Sequence, residues 1–506
     1  MTANIRIATT LVVALLSAAA PAVAKGAPEA PQQPDATEPQ AQEVAEEPKG
    51  DPAPPDEPTA ADVSKAPRPH HDPSGIEGGQ QGVPDYLWAP RIALYPVRGL
   101  LELTMAPLRG LIFVEQKYAI KDRLVRFFFT EDENFGVYPT AFAETGFGFN
   151  IGLRMVWKQM FGSQAALKAR GGYGGQFQRL IGVDWEMPIS KRVSIEAFFL
   201  AEDRPRDRFF GIGNSERVDI DTLPIPGSLD AIDSDVAIGT RFSEELIRSG
   251  FRLAVALPRS MGLAVDSSYV HRRYGEAENT SLATGGLQDS VEEAYDTTTI
   301  PGFTAGVDYI YSELEFTLDT RRKTSRFAVD PMPGTGWYVE AYAGFAESVN
   351  NDITSFYRYG FDAQRYIRIA QNPRTLVLRA HLEGVTGTLD EVPFTELPRL
   401  GGPVLLRGYR QDRFRDRVRG LMTAEYQWDL SNMIAGFVYT DVGQVFRSYE
   451  SFEFDETRIA FGTGIQLHTA SSYIGRFLVG SSTDGSLLVN LSFDPAFDIQ
   501  NRTLVK

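Results

Sequence analysis

The sequence predicts an all-β protein, a transmembrane antiparallel β-barrel of sixteen strands, preceded by short amphipathic helices and a disordered leader. Apolar and polar residues alternate with period two from residue 134 onward, in segments of about ten residues, enough to cross a bilayer at a tilt. The second face of these segments is polar, and aromatic residues lie near their ends, as in barrels with two membrane interfaces. Sixteen or seventeen segments up to residue 493 have this pattern. A single-chain bacterial barrel has an even number of strands, so we predict sixteen.

The alternation is clear in residues 418–428. One face carries Met422 and Tyr426, and the other carries Arg419 and Glu425. A soluble sandwich or a propeller would also alternate, but here Arg, Glu, Gln and Asn occupy the second face instead of a second apolar core. In a closed barrel, every backbone N–H and C=O group within the lipid has a hydrogen-bond partner, which an open sheet does not achieve. These features favour the barrel.

The composition argues against several classes of function. The net charge of −16 disfavours nucleic-acid binding, because phosphate contacts need clustered Lys and Arg. The 506 residues include no cysteine and five histidines, so we expect no metal site, no cofactor and no Cys nucleophile. No histidine lies in a Ser-rich catalytic pattern, so we expect no catalytic residues and no enzymatic activity. No apolar run of about 18 residues follows the N-terminus, so spanning helices are not expected.

The N-terminal part resembles an export signal followed by a tether. Arg6, the apolar run Leu11–Leu16 and the Ala-Val-Ala site at residues 22–24 predict a secretory signal peptide over residues 1–24, rather than an uncleaved anchor. Residues 25–84 are rich in Pro, Ala and Glu, hold 13 of the 31 prolines and contain no aromatic residue. Such an acidic segment cannot bury enough apolar surface to fold, so we predict a disordered linker.

Residues 85–130 have a different composition. Pro96 and Pro107 stand where helices begin, leucines follow at helical spacing, and Lys and Arg occupy other faces. The pattern predicts one or two amphipathic helices that are cationic on one side, which we call the helical collar. We expect the helical collar to lie at the membrane surface. A helix packed on a soluble core is the alternative.

The barrel is expected to occupy residues 131–493, followed by a C-terminal tail over residues 494–506. The last strand alternates and ends in an aromatic residue, as does the C-terminal signal that assembly machinery binds in outer-membrane barrels. Its apolar positions are Leu487, Val489, Leu491 and Phe493.

One loop and the two strands after it carry the most specific pattern. The segment Pro398–Gly402 is followed by a tip with an Arg-Gly-aromatic sequence. The tip consists of Leu406, Arg407, Gly408 and Tyr409. Glu425 lies on the polar face of its strand, and Asp441 lies opposite the apolar face of the next strand. Both carboxylates should therefore face the barrel interior.

These segments, in this order, resemble the BamA/TamA-like bacterial surface antigen barrels. In that family the Arg-Gly-aromatic tip belongs to the loop between strands eleven and twelve, which folds back into the lumen. The resemblance implies that Arg407 latches this loop to Glu425 and Asp441, while Gly408 lets the tip turn. The alternative is an ordinary loop arginine. Further segments that resemble the family are Phe437–Gly443, Glu425–Tyr426, Asp319–Arg321, Pro333–Gly334 and Phe209–Asn214.

The region before the barrel departs from the family pattern. Family members that assemble or translocate proteins usually carry periplasmic POTRA modules there, whereas residues 25–130 show no matching pattern. The chain is therefore most similar to the subfamily that lacks POTRA domains.

The resemblance implies an outer-membrane protein of a Gram-negative bacterium, exported by its Sec signal, that assists insertion or translocation of proteins or other envelope components. Expected partners are outer-membrane lipids and lipopolysaccharide, unfolded outer-membrane proteins or a periplasmic accessory protein, and the barrel assembly machinery for its own insertion, but no nucleic acid. In the family, the junction of first and last strands is thin and offers an edge to substrate strands. A passive or plugged pore and a structural outer-membrane protein are the alternatives.

Overall fold

The structure is a computed structural model in which part of the chain is described. The described residues are 127–492, except 133, 145–147, 175–177, 219–226, 233–235, 278–289, 323–333, 350–354, 370–373, 389–390, 431–433 and 469–472. They belong to one compact unit, His70–Lys506, and a second unit, Met1–Pro69, lies outside them. The predicted signal peptide, linker and tail, and the helical collar up to residue 126, also lie outside the described residues.

Sixteen antiparallel strands form the main sheet, each paired with the next along the chain, which confirms the predicted fold and strand number. The strands are β1 (Phe135–Glu144), β2 (Gly148–Trp157), β3 (Ala166–Tyr173), β4 (Arg179–Pro188), β5 (Val193–Phe209), β6 (Thr240–Leu257), β7 (Met261–Glu276), β8 (Val307–Asp319), β9 (Gly336–Ser348), β10 (Ser355–Arg368), β11 (Arg374–Val385), β12 (Val418–Asp429), β13 (Ile434–Phe446), β14 (Arg458–His468), β15 (Tyr473–Ser482) and β16 (Leu487–Ser492). None of the helices in the described part of the chain is long and apolar enough to cross a membrane.

The distribution of side chains is that of a barrel in lipid. Apolar side chains on the outer face are exposed, among them Ile151 at 56%, Leu153 at 59% and Met422 at 69%. Charged side chains on the alternate face, such as Glu313 and Glu425, are buried. An apolar exterior around a polar interior is the pattern of a transmembrane barrel.

The two ends of the barrel differ in their connections. The three longest connections, residues 210–239, 277–306 and 386–417, all follow odd-numbered strands and therefore lie at one end, the long-loop end. Connections at the other end include the tight turns 189–192 and 258–260, and we call it the short-turn end. In bacterial barrels, short turns lie on the periplasmic side and long loops on the outside.

Strands β5, β6 and β7 are longer than the predicted ten residues, with 17, 18 and 16 residues respectively. Their extra residues lie at the long-loop end, where the aromatic side chains Phe209 and Phe242 are fully buried. These strands therefore continue past the length needed to cross the membrane, because loop residues pack against their ends in place of lipid.

An aromatic cluster fills the interior at the long-loop end. Phe394, in the β11–β12 loop, packs with ring centroids 5.6 Å from Phe209, 5.2 Å from Phe242, 4.9 Å from Tyr274 and 6.0 Å from Phe303. These five residues, which we call the aromatic cap, join one other connection, residues 277–306, and three strand ends to the β11–β12 loop. The loop is therefore held inside the barrel by apolar packing at its start.

The first and last strands meet over a short stretch. Strand β16 pairs with β1 at Ala143↔Leu491 and Glu144↔Asn490, two register positions among the described residues. In contrast, β1 pairs with β2 at ten positions. We call the β1–β16 junction the seam. Few backbone hydrogen bonds hold it, so it is the weakest strand pairing in the described part of the barrel.

Candidate functional site

The β11–β12 loop, residues 386–417, carries the predicted tip into the barrel interior. Its stem is a two-stranded ribbon in which Arg399 pairs with Arg415 and Leu400 pairs with Phe414. Leu400 and Phe414 are buried in one apolar cluster with residues of the tip and of the barrel wall. The paired and packed ribbon therefore fixes the position of the tip, which is the end of a hairpin.

The tip turns at Leu406. This residue has a left-handed backbone conformation, with φ of 57°, and Gly401 and Gly402 in the stem have φ of 114° and 103°. Gly408 lies within the tip turn, in which the Tyr409 N–H donates to the Leu406 carbonyl, but its own φ is not positive. Gly408 also permits a close approach, since an added Cβ would collide with the carbonyl oxygen of Ser481 on β15.

Arg407 at the tip binds both predicted carboxylates. Its Nε donates to Asp441 Oδ2 and its Nη2 to Asp441 Oδ1, both at 2.8 Å, and its backbone N–H donates to Oδ2 at 2.9 Å. Its Nη1 donates to Glu425 Oε2. Burial opposes the charge of the Arg407 guanidinium, but Asp441 and Glu425 raise its pKa above the ordinary range. We call Arg407, Glu425 and Asp441 the loop latch.

Neighbouring side chains fix the carboxylates of the loop latch. Thr423 Oγ1 donates to Asp441 Oδ1 at 2.8 Å, and Gln427 Nε2 donates to Glu425 Oε1 at 2.9 Å. The Arg407 guanidinium also lies 3.7 Å from the ring centroid of Tyr439. A planar guanidinium satisfies a bidentate carboxylate and an aromatic face together, which an ammonium group does not.

Arg476 on β15 is a partner that the sequence analysis missed. Its Nη2 donates to Glu425 Oε2 at 3.0 Å, and its guanidinium lies 3.9 Å from the ring centroid of Phe437. The positive charges of two arginines, Arg407 and Arg476, are therefore matched by the negative charges of Glu425 and Asp441 in the barrel interior. The available signal was the position of Arg476 on the polar face of its strand, but its partner is apparent only when the strands are closed into a barrel.

A second ion pair, also missed, holds the start of the same loop. Glu396 Oε2 accepts from Arg358 Nη2 at 2.7 Å, and Glu396 Oε1 lies 3.0 Å from Arg272 Nη2. The charges are arranged in the opposite way to those of the loop latch, because here the loop supplies the carboxylate and the barrel wall supplies the arginines. Glu396 follows Phe394 of the aromatic cap, so charge and apolar packing act on the same turn.

The tip also contacts the last hairpin, next to the seam. Ser486, in the β15–β16 turn, donates its hydroxyl to the Gly408 carbonyl, and Tyr409 Oη lies 3.3 Å from Thr483 Oγ1. An added Cβ at Gly480 would collide with the Arg407 carbonyl. The loop therefore braces β15 and the β15–β16 turn from inside the barrel.

The predicted C-terminal signal lies on the outer face as far as the structure describes it. Leu487 and Val489 are exposed on β16, and Leu491 is half-buried. Asn490, between two of them, is buried on the opposite face. Phe493 lies outside the described residues.

Together, the sixteen-stranded barrel and the loop latch define a transmembrane barrel of the BamA/TamA-like class. Comparison with protein families agrees, because residues 247–479 match the Omp85 superfamily domain. This segment runs from β6 to β15 and includes the entire loop latch. This part of the barrel is thus similar to the Omp85 superfamily domain. A search of curated proteins finds no match.

Solved structures with a similar fold include the crystal structure of BamA from Haemophilus ducreyi lacking POTRA domains 1–3. The TM-score is 0.50 and the identity 10%, over 71% of this chain and 69% of that chain. CdiB from Acinetobacter baumannii gives 0.45 and 8% over 70% and 58%, and CdiB from Escherichia coli gives 0.45 and 12% over 71% and 62%. The chain therefore spans less than two thirds of each CdiB chain. At these identities, the similarity to BamA concerns the fold alone.

Proposed function

We propose that this barrel lies in the outer membrane of a Gram-negative bacterium and assists the insertion or translocation of proteins there. The single observation that carries this proposal is the position of the loop latch beside a seam that has two register positions among the described residues. A passive barrel gains stability from a long pairing of its first and last strands. A short pairing makes strand edges available at low cost.

Exposed strand edges are binding sites for other strands. An extended segment that adds to an edge forms backbone hydrogen bonds without a specific sequence, which suits a factor that handles many unfolded chains. Here β16 has six residues in the described region and β1 has ten, so part of the β1 edge extends past its partner. The loop that braces β15 from inside then controls how firmly the β16 edge is held.

The proposed partners follow from this role. They are unfolded outer-membrane proteins or a periplasmic accessory protein, the surrounding lipids including lipopolysaccharide, and the barrel assembly machinery for the protein's own insertion. Export by the Sec signal, action without POTRA modules and the lack of an enzymatic activity belong to the same proposal and remain predictions.

A plugged pore or a structural barrel is the second candidate, and the aromatic cap favours it. Phe394, Phe209 and Phe242 are almost fully buried, which is the expected state of a permanent plug. In that case the loop latch serves stability alone. The experiment below separates the two candidates.

The test is the outer-membrane proteome of a deletion strain that carries the wild-type protein, Arg407→Ala or Arg410→Ala. Arg410 lies in the same loop, is half-buried and is outside the loop latch, so it controls for the loss of an arginine. We expect selective loss of other barrel proteins in the deletion strain, with recovery by the wild type and by Arg410→Ala but not by Arg407→Ala. An unchanged proteome in the deletion strain would leave the plugged pore or the structural barrel.

A further inference from the structure

The connections at the two ends of the barrel differ in charge. Those at the short-turn end hold six charged side chains among the described residues, and all six are basic. They are Lys158, Lys191, Arg192, Arg259, Arg321 and Arg322. At the long-loop end, the connection 447–457 holds four acidic residues and one arginine. A basic surface attracts anionic partners, so the short-turn end favours an anion.

Tryptophan marks the same end of the barrel on its lipid-facing side. Four of the five tryptophans lie in the strands, on the outward parity and within four residues of the short-turn end. They are Trp157, Trp185, Trp337 and Trp428. Tryptophan concentrates at the boundary between hydrocarbon and water. These side chains therefore lie at the level of the lipid headgroups.

Trp337 has an arginine on each side. Arg365 on β10 is its register partner, and the Arg365 guanidinium lies 5.0 Å from the centroid of the Trp337 ring. Arg322, in the β8–β9 connection, is exposed and forms a bridge with Thr335, two residues before Trp337. Paired residues of antiparallel strands share a face, so both arginines have the outward parity of Trp337. We call Arg322, Trp337 and Arg365 the rim site.

The rim site has no carboxylate beside it among the described residues. On β8 to β11, the outward positions carry two acidic residues, Asp308 and Glu347, and both lie at the long-loop end. Asp319 is closer, but it lies on the inward parity and accepts from Arg321 Nη2 at 2.6 Å. The two positive charges of the rim site thus face lipid without a neighbouring negative charge in the described part of the chain.

The chemistry of the rim site suits a phosphate group. The Trp337 ring covers one face of the Arg365 guanidinium and leaves N–H groups at the edge of the guanidinium to donate to an anion. A phosphate accepts two parallel hydrogen bonds from an arginine. An arginine on the lipid face costs about 2–4 kcal/mol at the bilayer midplane and about 0–1 kcal/mol near the interface. A contact with a headgroup is therefore least costly at this level of the barrel.

We propose that the rim site binds the headgroup phosphate of an anionic phospholipid in the periplasmic leaflet of the outer membrane. Lipopolysaccharide also carries phosphates, but the short-turn end faces the periplasmic leaflet, where phospholipids lie. The inference makes the lipid contact of the proposed function specific. It rests on the proposed outer-membrane location and not on the assembly role.

Native mass spectrometry of the full chain in detergent tests this proposal with added phosphatidylglycerol, phosphatidylethanolamine or lipid A. We expect the wild type to bind phosphatidylglycerol at least tenfold more tightly than phosphatidylethanolamine. Arg322→Gln with Arg365→Gln should weaken binding of phosphatidylglycerol at least fivefold and leave binding of lipid A unchanged. Arg192→Gln with Arg259→Gln is the matched control, because it removes two exposed arginines from other turns of the same end. It should change the affinity less than twofold.

Trp337→Leu separates the geometry of the rim site from its charge. This variant keeps both arginines, and it should weaken binding of phosphatidylglycerol at least twofold because Arg365 loses its stacking partner. Heat-modifiable migration confirms that each variant has a folded barrel.

Three results would overturn the proposal. They are equal binding of the two phospholipids, an equal loss of lipid A and phosphatidylglycerol binding in the rim-site variant, and an equal loss of affinity in the control variant. Sucrose-gradient fractionation of wild-type membranes tests the outer-membrane location separately, and the proteome of the deletion strain tests the assembly role. A failure of the rim site is therefore distinguishable from a failure of the proposed function.

Discussion

Arg407 and Arg476 donate to the same oxygen of Glu425, one from the loop tip and one from β15. The loop latch is therefore connected to the strand next to β16. Because Glu425 and Asp441 lie on β12 and β13, one polar network joins the loop to three strands of the barrel wall. This network and the seam are the basis of the predictions below.

Removal of the loop arginine should destabilise the barrel. Arg407→Met leaves Glu425 and Asp441 without their main counter-charge, which costs about 3–5 kcal/mol when the group is fully buried and less if water enters. Urea unfolding in detergent micelles measures the loss. Arg407→Lys should recover only a small part of it, because an ammonium group cannot bind Asp441 in a bidentate manner. Equal stability of Arg407→Met and the wild type would exclude the loop latch.

Arg476→Met should weaken the last hairpin more than the rest of the barrel. The variant removes the bond to Glu425 but keeps much of the apolar stem against Phe437. We expect faster amide hydrogen exchange in β15 and β16 and little change in β7 to β10. A uniform increase across all strands would indicate a general loss of stability instead.

Glu396→Gln should release the start of the loop without affecting its tip. Glutamine keeps the size of the side chain, but Arg272 and Arg358 lose a shared negative charge, at a cost of about 1–3 kcal/mol. Digestion of loop 386–417 by trypsin measures this release.

The double variant Glu396→Gln with Arg407→Met tests whether the two ion pairs act separately. Their effects on stability should add within about 0.5 kcal/mol if the loop has two independent attachments. A strong departure from additivity would show that both hold a single rigid unit.

Gly408→Ala should disturb the tip although alanine is small. Its Cβ has no room against the Ser481 carbonyl on β15, so the tip must move away from the wall. We expect a lower unfolding midpoint and weaker recovery of the deletion strain. Gly171→Ala on β3 is the control, because an added Cβ there meets its nearest neighbour only at 4.0 Å. Similar behaviour of both variants would contradict the close approach.

The features that could be predicted from the sequence are those that depend on the local alternation of apolar and polar residues. Period-two alternation gave the strands and their polar faces, and the parity of Glu425 and Asp441 placed both in the interior. The roles of Arg476 and Glu396 could not be predicted, because both depend on which strands become neighbours across the barrel. The left-handed backbone of Leu406 was not predicted, since a leucine in this conformation has no local sequence signal.

A disulfide across the seam tests the central claim, that the barrel acts through the junction of β1 and β16. Ala143 and Leu491 are register partners, and the chain has no other cysteine to interfere. The double variant Ala143→Cys with Leu491→Cys should restore the outer-membrane proteome of the deletion strain when reduced and fail when oxidised. Each single variant should restore it in both conditions. Full recovery by the oxidised double variant would contradict a role for the seam and leave a closed, structural barrel.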